Sequence, residues 1–212
     1  MRTENDHGLL RAIGAALRTP IGPGRKPWLS FGWMCVALLV VLGLSGALLS
    51  IYYLPALDAA SESVRFVMRD VEWGWLVRGV HGWASAGLVV CAAAQLVRVF
   101  LTGRYRGARA GSWVLGGLML LVVLGLAFTG ELLPWDAESV ALAGAALDGT
   151  QAIPVFGPPL ASAMRGGVEV GAATLARAHA AHTLVLPWLA FLLLLLELWF
   201  LAHSRGRREE HT

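Results

Sequence analysis

The sequence carries little charge and almost no cysteine. Of its 212 residues only 15% are charged and 57% are hydrophobic, whereas soluble domains carry roughly 25% charged and about 45–50% apolar residues. This balance excludes a disordered chain. The two cysteines, Cys35 and Cys91, are too few for a disulfide scaffold, and no CxxC or CxxCH motif offers a zinc site or a covalent haem site. The composition therefore indicates a membrane protein.

Four apolar stretches are long enough to cross a bilayer core of about 30 Å, which takes roughly 20 residues as a helix. They are 31–54, the stretch between Arg78 and Arg98, 111–130 and 177–205. We expect helices because backbone groups in lipid must hydrogen-bond within their own segment. The stretches are named spans A, B, C and D in chain order.

Basic residues are distributed unevenly between the two ends of these spans. Twelve lie in the N-terminal segment, the B–C loop and the C-terminal tail, whereas five lie on the other side together with nine acidic residues. Loops that carry the excess of Lys and Arg stay in the cytoplasm. We therefore predict a multi-pass protein of the bacterial cell membrane with both termini in the cytoplasm.

The segments outside the spans have their own patterns. Residues 1–27 place apolar side chains at helical spacing between basic residues, which predicts a short helix on the membrane surface; a solubilising arm is the alternative. We do not expect residues 1–27 to be a signal peptide, because they lack a continuous apolar core. The C–D connection, 132–174, is long for a structureless loop, so we expect short helices on the outer surface. Residues 207–212 are predicted to form a cytoplasmic tail.

Two histidines occupy matched positions in spans B and D. His81 follows Arg78 by three residues and His182 follows Arg177 by five. One return crossing separates the two spans, so they run in the same direction and both histidines lie just inside the outer interface. Two imidazoles that face each other across a helical bundle can bind a haem iron from both sides; two interfacial histidines bonded to backbone are the alternative. The arginines either snorkel to the interface or face haem propionates, for which Arg78 is better placed.

Glycines in spans A and C share a spacing of fourteen residues. The pairs are Gly32 with Gly46 and Gly116 with Gly130. Fourteen residues make almost four helical turns and rise about 21 Å along one face. Gly46 and Gly130 fall near the level of the two histidines, where a missing side chain lets a flat macrocycle approach the backbone. Coincidence or simple packing of small residues is the alternative.

Several motifs, in this order along the chain, resemble one known family. The sequence is similar to the N-terminal, four-helix half of the cytochrome b subunit of quinol:cytochrome c and plastoquinol:plastocyanin oxidoreductases, in its split, plastid-type form. The resemblance covers residues 28–206. The motifs are RGVHGWAS at 78–85, FLTGRY at 100–105, GELLPWD at 130–136, QAIPVFGPPL at 151–160 and ATLARAHAAHTLVLPWL at 173–189.

The resemblance implies a fold and an outer cofactor site. The fold is all-α: a haem-binding bundle of four transmembrane helices at 28–206, preceded by the N-terminal interfacial helix. His81 and His182 match the axial ligands of the family's outer b haem. By the same resemblance the cofactor-binding residues around that haem are Arg78, Gly46, Gly130 and Arg177.

The inner haem of the family has no matching ligands. Its two histidines would fall at Gln95 and Glu197, so the resemblance implies one outer haem b and loss of the inner haem. His203 lies six residues beyond Glu197 and does not replace it. Ser30 stands where some plastid-type members attach a further haem through cysteine. A polar contact between Gln95 and Glu197, a proton route, a quinone pocket and an unusually ligated haem are the open interpretations of the inner site.

The family oxidises quinol near the outer membrane surface. The resemblance therefore implies an electron-transfer subunit of a respiratory cytochrome bc-type quinol oxidoreductase, whose C–D connection helps to form the quinol site. The implied partners are a C-terminal cytochrome b half (subunit IV-like), a Rieske iron–sulfur protein and a c-type cytochrome or equivalent in a dimeric complex, with no nucleic acid. The chain alone is not a complete enzyme, and without the inner haem its transmembrane electron branch is expected to be broken or rerouted. Alternatives are a haemless structural subunit of such a complex and a four-helix membrane cytochrome b that anchors a dehydrogenase.

Overall fold

A computed structural model of the chain describes residues 31–101, 103, 105 and 110–209. Every regular element in these residues is helical, which confirms the all-α prediction. The N-terminal segment 1–27, with its predicted interfacial helix, lies outside the described residues. The helices are α1 (Phe31–Ser50), α2 (Ala60–Arg69), α3 (Gly74–Leu101), α4 (Ala110–Leu132), α5 (Ala137–Gln151), α6 (Gly157–Arg165), α7 (Ala172–Ala180) and α8 (Leu186–Glu209), with a π-helical turn at Ala181–Val185 between the last two.

The four predicted spans are confirmed as helices long and apolar enough to cross a membrane. They run over Gly32–Ser50, Gly74–Leu101, Ala110–Leu132 and Ala172–Phe200. Span A ends four residues earlier than predicted, because Pro55 disfavours helical backbone at the residue before it. Spans B and D begin earlier in the chain than predicted, four residues before Arg78 and five residues before Arg177.

The backbone forms two compact units. Unit 1 consists of Met1–Ala37, Leu88–Val123 and Leu189–Thr212, and unit 2 of Leu38–Gly87 and Leu124–Trp188. The long helices α1, α3, α4 and α8 contribute residues to both units. Helices α2, α5, α6 and α7 belong to unit 2 alone. Unit 2 therefore contains all the short helices of the A–B and C–D connections.

A buried apolar cluster holds unit 2 together. Leu132, Ala143 and Ala178 are each less than 5% exposed, and Phe128 and Val170 pack against them. These residues come from α4, α5, α7 and the segment before α7. The C–D connection is thus packed against the helices that carry the predicted site, as is expected when small apolar residues meet at a helix contact.

The C–D connection, 132–174, contains two short helices, as predicted; its place on the outer surface stays a prediction. Helix α5 begins after Asp136, whose Oδ1 accepts hydrogen bonds from the backbone N–H and the hydroxyl of Ser139 at 2.9 and 2.8 Å. Helix α6 has proline in its first turn, where the missing N–H costs nothing. The residues at the start of α5 and α6 therefore explain where these two helices begin.

Helix α2, in the A–B connection, was not predicted. Its buried residues, Ala60, Ser63 and Val67, recur at spacings of three and four, which is the pattern of a helix with one packed face. Its opposite side carries an exposed ion pair between Glu62 and Arg65, 2.9 Å apart. Such an exposed pair contributes little to stability, so the buried face stabilises α2.

Replacing the Asp136 cap is expected to destabilise the start of α5 by about 1 kcal/mol. Hydrogen bonds from Ser139 hold the pKa of the Asp136 carboxyl below its ordinary value of 3.8. The stabilisation is therefore complete above that ordinary value and is lost as the pH falls through the lowered pKa. Thermal unfolding of purified Asp136→Ala in detergent measures the effect. Asp136→Asn, which still caps, is the control, and equal unfolding of wild type and Asp136→Ala at neutral pH would contradict the prediction.

Candidate cofactor site

The two histidines that the sequence paired face each other in unit 2. His81 lies in α3 and His182 in the π-helical turn. Their ring centroids are 6.2 Å apart and the ring planes are inclined at 67°. Both residues are half-buried. The two histidines that were paired by their spacing in spans B and D are therefore also close together in the structure.

An irregular turn of backbone carries His182. The N–H of Leu186 bonds to the carbonyl of Ala181, one residue further back than in an α-helix. Pro187 has no N–H to offer Thr183, which disfavours regular α-helical bonding at this point. Single π-helical turns inside α-helices are frequent at functional sites.

The Nδ1 atom of His182 is held by the facing helix α4. It lies 3.0 Å from the carbonyl oxygen of Leu126 and 3.2 Å from the hydroxyl oxygen of Thr129. The Thr129 hydroxyl donates its own proton to Gly125 at 2.7 Å. Because a carbonyl oxygen only accepts, Nδ1 of His182 carries the ring proton.

The Nδ1 atom of His81 is held in the same way by α1. It lies 2.9 Å from the hydroxyl oxygen of Ser45. That hydroxyl directs its proton to the carbonyl of Val41 at 2.7 Å, so its oxygen accepts from the imidazole. His81 therefore also carries its proton on Nδ1.

This protonation leaves Nε2 of both rings with a free lone pair. In the part of the chain that the structure describes, no hydrogen bond of either histidine uses Nε2. A histidine that binds a metal through one nitrogen usually donates a hydrogen bond from the other. Both rings are thus prepared as ligands.

The spacing of the rings fits a metal held between them. Two imidazoles that bind one metal from opposite sides, at about 2 Å per bond, have ring centres about 6 Å apart. The observed separation is 6.2 Å. Within the described ranges no group of three or more His, Cys, Asp or Glu side chains could hold a metal ion. A macrocycle is one source of the remaining donors that a metal here would need, as in a haem.

Each histidine packs against a glycine of the neighbouring helix. A Cβ on Gly46 would lie 3.2 Å from Cε1 of His81, and a Cβ on Gly130 would lie 2.9 Å from Cε1 of His182. The imidazole rings therefore lie against these two glycines, and the approach of a macrocycle to their backbone stays a prediction. The missing side chains of Gly46 and Gly130 therefore leave room for the rings of His81 and His182.

The two arginines of the predicted site differ in their surroundings. Arg78 is exposed, and its side chain makes no hydrogen bond or ion pair with the residues described. Arg177 instead directs its guanidinium to the carbonyls of Ser162 and Ala163, in the last turn of α6. A cation there satisfies carbonyls that the helix leaves unbonded. A role for Arg177 at a cofactor stays a prediction.

The residues expected at the inner site lie in unit 1. Glu197 is half-buried. Oε1 of Gln95 is buried without a hydrogen-bond partner, and so is Nε1 of Trp113. No hydrogen bond joins Gln95 to Glu197 within the ranges that the structure describes. A Cβ on Gly116 would meet only Leu96, at 3.8 Å.

Sequence reasoning missed the hydroxyl residues that orient the rings. Ser45 and Thr129 each stand directly before an outer glycine, Gly46 and Gly130 respectively. That repeated hydroxyl–glycine pair was the signal available in the sequence. The role of these hydroxyl residues depends on which helices face each other. Residue spacing within one span does not determine that.

Comparisons with known proteins identify a family model and several relatives that are similar to this chain. The family model described as cytochrome b/b6/petB matches residues 19–205. The menaquinol:cytochrome c reductase cytochrome b subunit of Geobacillus thermodenitrificans is 38% identical over 158 residues, which are 74% of this chain and 70% of that protein. A cytochrome b6 from Cyanothece sp. is 37% identical over 152 residues, 72% of this chain and 68% of that protein.

A solved structure described as a hyperthermophilic respiratory Complex III has a similar fold. The match has a TM-score of 0.78 at 22% sequence identity and covers 94% of this chain. This chain spans about half of that solved chain, 54% of its length. The likeness supports the four-helix fold.

Alanine at Gly130 is expected to weaken haem binding, because the new Cβ would force the His182 ring to move. Overpacking of this kind costs about 1–3 kcal/mol, which corresponds to roughly 5–150-fold in affinity. Gly117→Ala in the same helix is the matched control, since nothing lies within 4 Å of its Cβ. The measurement is b-type haem per purified chain. Equal haem content in the two variants would refute the close approach.

Proposed function

The chain belongs to the cytochrome b/b6 family, and from that membership we propose that it is the membrane electron-transfer subunit of a cytochrome bc-type quinol oxidoreductase. It binds one b haem on the outer side of the membrane, with His81 and His182 as axial ligands. The observation that carries this proposal is the pair of facing imidazoles, 6.2 Å apart, whose Nε2 atoms are free.

The surrounding residues hold the two ligands in place. Ser45 and the carbonyl of Leu126 accept from Nδ1 and so fix the tautomer and the direction of each ring. Such bonds also make the opposite nitrogen a stronger ligand. When bound, haem b supplies a centre that takes up and releases one electron.

Arg78 provides the cation expected at the haem edge. It lies one helical turn outward from His81, and residues three apart share a face of a helix. Its guanidinium is exposed and has no partner among the described residues, so it is available for a propionate carboxylate. Such a charge-assisted pair orients a planar group well.

The inner side chains do not fit a haem. Gln95 offers a carboxamide and Glu197 a carboxylate, and neither is among the usual axial ligands of b haems. We propose that the inner haem is lost and that the electron branch across the membrane is broken or rerouted. The redox centre of this chain is then the outer one alone.

The complete enzyme requires further subunits. We propose a C-terminal cytochrome b half, a Rieske iron–sulfur protein and a c-type cytochrome or equivalent, assembled as a dimer. Residues 28–206 form the four-helix domain, in a bacterial cell membrane with both termini in the cytoplasm, and the positive-inside count supports this direction.

The C–D connection contributes to the outer quinol-oxidation site. It exposes Ile153, Val155 and Phe156, which are 53, 78 and 78% accessible. Val155 also has a φ of 69°, a costly conformation for a β-branched residue. Exposed apolar side chains on a constrained loop suit an apolar substrate or a partner subunit.

The ligand assignment is tested by counting haem. The purified chain is expected to hold one b haem, and His81→Ala is expected to hold none, because a single remaining imidazole no longer closes the site. Pyridine haemochrome analysis against protein concentration gives the count. Gly82→Ala, next in the same helix with nothing within 4 Å of its Cβ, is the control and retains the haem.

Two outcomes would contradict this function. A His81→Ala chain that keeps its haem would exclude the ligand pair. A folded wild-type chain without a b-type band in its reduced-minus-oxidised spectrum would indicate a haemless structural subunit.

A further inference from the structure

Each proposed ligand has a polar residue three positions before it. Arg78 precedes His81, and His179 precedes His182. Residues three apart lie on the same side of a helix, one turn away from each other. His179 therefore has the same position relative to His182 as Arg78 has relative to His81.

Tertiary contacts fix the ring of His179. It stacks on the ring of Tyr53, with centroids 5.4 Å apart and planes inclined at 25°. The Tyr53 hydroxyl donates to the carbonyl of Leu133 at 2.7 Å. Burial raises the pKa of Tyr53 to about 12, so the phenol keeps this donor proton at neutral pH. The stack connects α7, the end of α1 and the end of α4 within unit 2.

The ring nitrogens of His179 have no hydrogen-bond partner among the residues that the structure describes. The residue is half-buried. Its ring nitrogens are not among the buried polar atoms without a partner in the described residues, so they are accessible from outside the polypeptide. An imidazole held by its face, with its nitrogens free, is suited to an acceptor from outside the polypeptide.

The other candidate near His182 is already engaged. Arg177 donates to the carbonyls of Ser162 and Ala163. Moving its guanidinium to a cofactor would leave the end of α6 without these bonds. His179 can donate without breaking any hydrogen bond of its own ring.

We propose that His179 donates an N–H hydrogen bond to a propionate carboxylate of the outer haem. This inference rests on the proposed function. A neutral imidazole has one N–H donor, so the bond does not depend on protonation of the ring. A donor to the carboxylate offsets negative charge near the iron, which favours the reduced state. His179 is thus expected to raise the midpoint potential of the haem.

Two substitutions of His179 test this proposal. His179→Phe keeps a ring for the Tyr53 stack but removes the donor, whereas His179→Gln keeps a donor. In His179→Phe the ratio of reduced to oxidised haem at a fixed potential is expected to fall about tenfold, equivalent to a midpoint about 59 mV lower. His179→Gln is expected to retain most of the wild-type potential. Spectroelectrochemical titration of the purified complex measures both.

Gly82→Ala, whose new Cβ would meet nothing within 4 Å, is the control and is expected to leave the midpoint potential at the wild-type value. Arg177→Met tests the other candidate donor. The proposal is wrong if His179→Phe leaves the potential unchanged, if both His179 variants shift it equally, or if both lose the haem. A shift in Arg177→Met alone would assign the propionate to Arg177. A wild-type chain without haem would instead refute the proposed function, so the two failures are distinguishable.

Discussion

The hydrogen bonds at Nδ1 of two facing imidazoles determine what unit 2 can do. Because the carbonyl of Leu126 and the hydroxyl of Ser45 accept these bonds, the lone pairs of His81 and His182 are left at Nε2. The same arrangement requires the neighbouring helices to come very close, as the packing of His182 on Gly130 shows. The close helix contact and the hydrogen bonds at Nδ1 together determine where the imidazole rings lie. A change in either one would displace the rings.

The described residues of unit 1 contain no such pair of facing imidazoles. Its buried polar atoms, Oε1 of Gln95 and Nε1 of Trp113, have no partners, and an unsatisfied buried polar group costs about 1–3 kcal/mol. Neither Gln95 nor Glu197 is a usual haem ligand. This contrast supports our proposal that the redox chemistry of the chain lies in unit 2.

The membrane spans and the pairing of the two histidines were predictable because they depend on local sequence pattern. The spans follow from the scarcity of charge, and the pairing of His81 with His182 follows from matched spacing in two parallel spans. The π-helical turn, helix α2 and the hydroxyl partners of the rings were not predicted, because they depend on which helices face each other. Arg177 illustrates the limit, since its spacing did not reveal that its guanidinium bonds to carbonyls of α6. Only tertiary structure distinguishes it from His179.

The central claim is that this chain holds one b haem between two imidazoles and no second haem beside Gln95. A potentiometric titration of the purified complex, followed in the b-type absorption band of this chain, tests it most directly. The account predicts a single one-electron transition. Two distinct b-type transitions assigned to this chain, or none, would contradict it.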